Sequence, residues 1–338
     1  MLRLVLVPVL FLLAGCTLSR PQKPVPAPIA PHEETWIRLG IWGQAHGLQP
    51  VKRLTLSPLE MSITNGFAWQ GRSLRARASL IPLPTFVLRT GSNNILLQAQ
   101  TRRAYWDEVR LELGFAPKYL QGELLINVLD IEKTIEPLVK LESFSPPTNR
   151  VIVLDPGAAD AGREREDYSL DWAERLSPLL QEHGWTVFIT RTNWLNHSFE
   201  ARAFAADVRH PSLYLNLDFD SDSDTVANGV ETYCLPPDGM PSSTGTADSE
   251  VIWRFLPNNA FDIPNFQYAF RLHRALADIP DIDDAGLQRT RAIPMLRDRE
   301  YPAVRISGGY LSNEHDRALI DSPEFRQTLA EAVAQALN

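Results

Sequence analysis

The side chains best suited to chemistry in this chain are carboxylates near two expected strand ends. One group follows the run Arg150-Val-Ile-Val-Leu154: Asp155, then Asp160, Glu164 and Glu166, with Arg165 between the last two. The other is Asn216-Leu-Asp218-Phe-Asp220. An oxygen-only set drawn from Asp155, Asp160, Glu164, Asp218 and Asp220 has the hardness that suits calcium better than zinc. The same residues also describe a solvated acidic rim, and the pattern reads that way first. His183, His197, His210, His273 and His315 show no metal-ligand spacing, and His273 and His315 are expected to cap or solvate helices. Ser307-Gly308-Gly309 has no evident His partner in sequence, and His197-Ser198 falls in a loop, so an activated hydroxyl nucleophile is not indicated.

The elements that must position these groups alternate along residues 149–338. Val151 to Leu154 is an apolar, β-branched run, and Asp155-Pro156-Gly157 is the turn that ends it. Strands are expected at 150–154, 185–190, 212–217, 229–234, 291–296 and 302–306. Helices are expected near 167–182, 199–208, 261–277, 314–320 and 323–337. This alternation predicts an α/β domain with a central sheet and helices on both faces. Ligands of such sheets sit beyond the carboxyl ends of the strands, where Ala158, Asp218 and Ser307 would lie.

Residues 35–141 predict a small α+β domain ahead of it, with 142–148 as linker. Trp36, Leu39 and Gly43 suggest a short helix ended by His46-Gly47. Leu74, Ala76, Ala78 and Leu80 alternate with Arg75, Arg77 and Ser79, a strand with a basic outer face. Asn65-Gly66 and Gln121-Gly122 are turn signals. Tyr105 to Leu113 reads as an amphipathic helix, Leu124 to Val128 as a strand, and Ile131 to Val139 as a helix.

Seven pieces, in order, resemble the zinc-dependent N-acetylmuramoyl-L-alanine amidases. Asp155-Pro156-Gly157-Ala158 resembles that family's Asp-Pro-Gly-His-Gly-Gly. Thr190-Arg191 and the Arg202-containing helix resemble its Thr-Arg strand end and following helix. Asn216-Leu-Asp218 resembles its Ser-Ile-His-Ala-Asn. Gly229-Val-Glu231-Thr-Tyr233 resembles its Gly-x-Glu-x-Tyr strand, and Asp284-Ala-Gly286-Leu-Gln-Arg289 the run before the penultimate strand. Pro302-Ala303-Val304 through Gly309-Tyr310-Leu311-Ser312-Asn313 resembles its Pro-Ala-x-Leu-x-Glu-x-Gly-Phe-x-Ser-Asn segment. The resemblance implies two His and a Glu on zinc, which lowers the pKa of a bound water, and a second Glu that takes its proton. In this chain the first His position is Ala158, the Glu ligand position is Arg165, the second His position is Asp218, and the catalytic Glu position is Ser307. Glu164 and Glu166 flank Arg165 and reach the ligand position only after a one-residue shift. The resemblance therefore implies the amidase fold with the zinc lost. The expected role is binding peptidoglycan or regulating another cell-wall hydrolase; the alternative is an active amidase with a rearranged metal site. The region 35–141 resembles the small domain at the N-terminus of copper amine oxidases and ahead of many cell-wall amidases.

Charge and termini narrow the setting. The 338 residues carry a net charge of −8. Residues 35–141 hold 13 Lys and Arg against 8 Asp and Glu, whereas residues 149–338 hold 17 Arg, no Lys and 30 Asp and Glu. So acidic a domain is a poor partner for nucleic acid, whose phosphates must be neutralised. Residues 1–16 read as a lipoprotein signal peptide: Arg3, an apolar run from Leu4 to Leu13, then the lipobox Leu13-Ala14-Gly15-Cys16. Cys16 would carry the lipid that holds the protein at a membrane. Thr17 after it resembles outer-membrane sorting, which would leave the chain facing the periplasm. Residues 17–34 contain five prolines and form a tether of about 50 Å near polyproline II. Cys234 is then the remaining thiol, expected as a small hydrophobe in a buried strand.

Overall fold

Val151–Pro156 buries five consecutive residues, a pattern that suits a strand covered on both faces. It is one of fourteen strands in a computed structural model that describes residues 35–48, 52–54, 84–90, 93–145, 147–157, 167–193, 197–244 and 254–338. The expected lipobox at Cys16, the tether, the Asn65-Gly66 turn, the Leu74–Leu80 strand, and Ala158, Asp160, Glu164, Arg165 and Glu166 lie outside the described residues.

The chain opens with β1 (Trp36–Arg38), α1 (Leu39–Ala45), β2 (Lys52–Leu54), β3 (Thr85–Thr90), β4 (Asn93–Gln98), β5 (Arg103–Trp106), β6 (Val109–Glu112), β7 (Lys118–Leu120) and β8 (Glu123–Asn127). A helical stretch over Val128–Asp130, Ile131–Ile135 and Glu136–Val139 follows, with a π-helical turn in its middle. Then come β9 (Val151–Pro156), α2 (Tyr168–Glu182), β10 (Thr186–Ile189), α3 (Phe199–Asp207), β11 (Leu213–Asp220), β12 (Val230–Cys234), α4 (Asp262–Ala277), β13 (Asp284–Arg289), α5 (Pro294–Arg297), β14 (Ala303–Tyr310), α6 (Glu314–Asp321) and α7 (Pro323–Ala336).

One sheet runs β10-β9-β11-β14-β12-β13-β6-β5-β4-β3-β2, and β1-β8-β7 form a second, antiparallel sheet. The half from β10 to β13 is parallel except where β12 meets β14. Helices α2, α4 and α7 cover one face through Trp172, Leu176, Phe266, Phe270, Leu329 and Val333, all fully buried or nearly so. Helices α3 and α5 meet the other face around Val153, Tyr214, Ala303 and Tyr301. The α/β architecture with helices on both faces is therefore present. Among the described residues no helix is long and apolar enough to cross a membrane.

Three elements differ from the sequence expectation. Trp36, expected in the opening helix, lies in β1, and the helix begins at Leu39. Tyr105 to Leu113 is not a helix but the β5–β6 hairpin, whose buried residues are Ala104 and Trp106, then Val109 and Leu111. Asp107 and Glu108 turn the chain with φ of 44° and 73°, so the apolar phase reverses across the turn and imitates a helical period. The strand expected at 291–296 is instead β13 at 284–289, and Pro294 begins the short helix α5, as a proline at a first helical turn can.

β6 joins β13 in parallel with Leu111 beside Leu287. The N-terminal strands thus extend the parallel sheet, and Trp106 meets Phe270 of α4 edge-on at 6.3 Å. Between the two halves, Phe144 packs edge-on against Tyr268 at 4.9 Å.

Candidate functional site

The turn after β9 is held by two buried arginines. Arg191, at the end of β10, reaches Asp167, the Gly157 carbonyl and the Pro156 carbonyl. Arg202, on α3, donates to the Pro156 carbonyl at 2.6 Å and pairs with Asp155 at 3.2 Å. Asp155 is fully buried and accepts from Thr190 and Tyr214 hydroxyls at 2.5 Å each and from Asn216. Through these contacts Thr190, Arg191 and Arg202 fix the backbone of the Asp155-Pro156-Gly157 turn. A Cβ on Gly157 would collide with the carboxylate of Asp218, so a larger residue there would have to displace that side chain.

Asp218 and Ser307 are brought together. They are paired in register between β11 and β14, and Glu231 of β12 pairs with Ser307 on the other side. Ser307 is fully buried; its hydroxyl donates to the Gly309 carbonyl at 3.2 Å and accepts from the Asp220 amide at 3.2 Å. Both hydrogen-bonding roles of the Ser307 hydroxyl are thus taken up by backbone groups.

The sequence reading missed the residue that dominates this spot, Arg305. Its guanidinium donates to both oxygens of Asp220, at 2.5 and 3.2 Å, and to Asp218 at 3.2 Å. It lies over the Tyr233 ring at 5.2 Å. Burial disfavours its charge, but the hydrogen bond it donates to Asp220 and the two carboxylates outweigh that and hold the guanidinium above its ordinary range. Burial raises the Asp218 carboxyl, with Arg305 opposing the shift. The signal was in the motif: Arg305 stands where Pro-Ala-x-Leu-x-Glu has its Leu. Glu231 was also passed over as chemistry. Its Oε2 accepts from the Tyr233 and Tyr310 hydroxyls at 2.5 Å each, and burial raises its pKa against those bonds.

Zinc prefers imidazole and thiolate donors in a tetrahedral set. The described residues at this spot offer carboxylates and a serine hydroxyl but no imidazole or thiolate: Asp218 and Asp220 are bound to a permanent cation, and Glu231 accepts from two tyrosine hydroxyls. They do not fit zinc, since a fixed guanidinium on the same carboxylates opposes a dication. Of the other groups weighed in sequence, His315 lies on the exposed first turn of α6. His273 does not cap or solvate a helix. It is fully buried in α4, with one ring nitrogen 3.1 Å from the Thr232 hydroxyl and the other 2.9 Å from Asp284. Cys234 is fully buried in β12, and burial pushes its thiol up to about 11.

A family model described as N-acetylmuramoyl-L-alanine amidase matches residues 152–338. Among curated proteins, a probable cell wall amidase of Staphylococcus aureus, LytH, is 27% identical over 204 residues, covering 57% of this chain. The chain spans 59% of that relative's length. Among solved structures, the N-acetylmuramoyl-L-alanine amidase AmiC2 of Nostoc punctiforme is 20% identical with a TM-score of 0.44, covering 57% of this chain and 97% of that one. The catalytic domain of CwlV from Bacillus (Paenibacillus) polymyxa var. colistinus is 22% identical with a TM-score of 0.43, covering 56% and 96%.

Proposed function

The chain belongs to the N-acetylmuramoyl-L-alanine amidase family, and from that premise we propose that it is a non-catalytic member that binds peptidoglycan or regulates an active cell-wall hydrolase. The observation that supports this reading is the pairing of Arg305 with Asp218 beside Ser307. The parts that shape the family's turn are kept in Asp155, Thr190, Arg191 and Arg202, while the positions that would do chemistry carry other groups. Amide hydrolysis at neutral pH needs an activated nucleophile and a stabilised oxyanion. A guanidinium already occupied by two carboxylates supplies neither, and Ala158 and Arg165 offer no zinc ligand.

The strand ends around Asp218 and Ser307 are the region where a glycan with its peptide stem would be taken. The reading is tested by sedimentation of the purified protein with isolated sacculi. Co-sedimentation above the level seen with an unrelated acidic protein supports a wall binder; recovery entirely in the supernatant counts against it and leaves only the regulatory role.

Placement follows from the N-terminus. We propose that Cys16 is lipid-modified and holds the chain at a membrane of the cell envelope, the outer membrane facing the periplasm, with residues 17–34 as tether. Cys16→Ala should abolish fatty-acid labelling; undiminished labelling in that variant would refute the anchor.

A further inference from the structure

Cross-strand pairing puts Asp218, Ser307, Glu231 and Gly286 in one row on β11, β14, β12 and β13. β6 continues the row: Leu111 is beside Leu287, so Arg110 comes beside Gly286. Gly286 has a φ of +110°, and a Cβ there would come within 3.3 Å of the Arg110 Cγ, Cδ and Nε. The absence of a side chain on Gly286 is what lets Arg110 lie against β13. Its backbone is pinned by the Asp284 carboxylate at 2.9 Å, and its Nη2 reaches Glu112 at 3.2 Å. Its Nε is buried without a hydrogen-bond partner. At the other end of the row, Arg305 binds Asp218 and Asp220 as described.

We infer that the positive charge of this groove comes from two side chains of the chain itself, Arg305 and Arg110, in place of the divalent metal that the family's pattern implies. This goes beyond what the groove binds and concerns what holds it together. Three carboxylates, Asp218, Asp220 and Glu231, converge on neighbouring strand ends and repel one another unless a cation lies among them. Arg305 meets two of them with a fork geometry that an ammonium or an apolar side chain cannot reproduce. Arg110 lies over Gly286, the residue paired with the third, Glu231, and its guanidinium binds Glu112; it is contributed by strand β6, ahead of the residues 152–338 that carry the family match. The N-terminal region therefore supplies a charged side chain to this row of strands.

The experiment is a thermal-unfolding comparison on the full chain, with and without chelator. Removing one partner from a partly buried ion pair leaves its carboxylates uncompensated, so Arg305→Leu should lower the midpoint by about 5–10 °C. Adding Asp218→Asn and Asp220→Asn to that variant should recover most of the loss, because the charges needing compensation are gone. Arg110→Gln should give a smaller loss that Glu231→Gln offsets. Wild-type protein should show the same midpoint with chelator and with added zinc. A loss in Arg305→Leu that the two Asn substitutions do not recover would mean that Arg305 only packs. A wild-type midpoint that falls with chelator would mean that a metal, not the arginines, carries the charge. If Arg305→Leu is insoluble, the triple variant decides: folded supports the inference, and unfolded overturns it.

Discussion

Asp130 sits sealed where the N-terminal strands meet the parallel sheet, fully buried. Its oxygens accept from the Gly114 and Phe115 amides at 2.6 and 2.9 Å. Burial pushes its carboxyl from 3.8 to about 6, while those two amides, Arg289 and Arg102 pull the other way. The folded state thus binds this proton more tightly than the unfolded chain does. The resulting stability is fully present below about pH 4 and is lost as pH rises through about 6. Asp130→Asn keeps one acceptor oxygen and has no proton to lose. Urea midpoints from pH 4 to pH 7 should therefore show wild type losing about 3 kcal/mol relative to Asp130→Asn. Parallel curves would show that Asp130 stays ionised throughout. At this scale the sequence was legible in part. Ser307 and Asp218 could be placed at the carboxyl ends of their strands from the alternation and the motifs, but that they face each other in register came only with the strand pairing. Arg305 was visible as a departure from the motif's Leu, but its partners were not: Asp218 and Asp220 meet it only through the adjacent strand. His273 was hidden for the same reason, since Thr232 and Asp284 are distant in sequence.

Helix starts were the most readable elements. Asp167, Ser198, Asn313 and Ser322 each accept a hydrogen bond from the first turn of the following helix, the local chemistry that makes such residues N-caps. Strands of mixed composition were harder. β13 carries Asp284, Gly286, Gln288 and Arg289, a poor strand composition by propensity, yet it lies between β12 and β6 with its last four residues buried; tertiary pairing overrode propensity. The β5–β6 turn leads to a direct test of element chemistry. Glu108 is exposed and holds a φ of 73°, a conformation that costs an L side chain roughly 1–2 kcal/mol. Glu108→Gly should remove that strain and, after the greater freedom of glycine in the unfolded chain, stabilise the protein by about 0.5–1 kcal/mol in urea unfolding. A destabilised Glu108→Gly would show that the turn is held by Glu108 itself.

Across the whole molecule, a single sheet runs from β10, beside the Asp155 turn, to the antiparallel strands that precede the family match, and one apolar core follows it. The alternation of strand and helix in residues 149–338 made the α/β half legible. The junction at β6 and β13 was not, because one pair of facing leucines leaves no mark in periodicity. The framework of an amidase is thus present around a groove whose charge is balanced by arginine. The central claim, that this framework no longer cleaves the amide between N-acetylmuramic acid and L-alanine, is tested most directly by measuring stem-peptide release from purified sacculi by the full chain with zinc supplied. Release no greater than in buffer alone is the expected result; peptide release that rises with protein concentration and stops on adding chelator would contradict it.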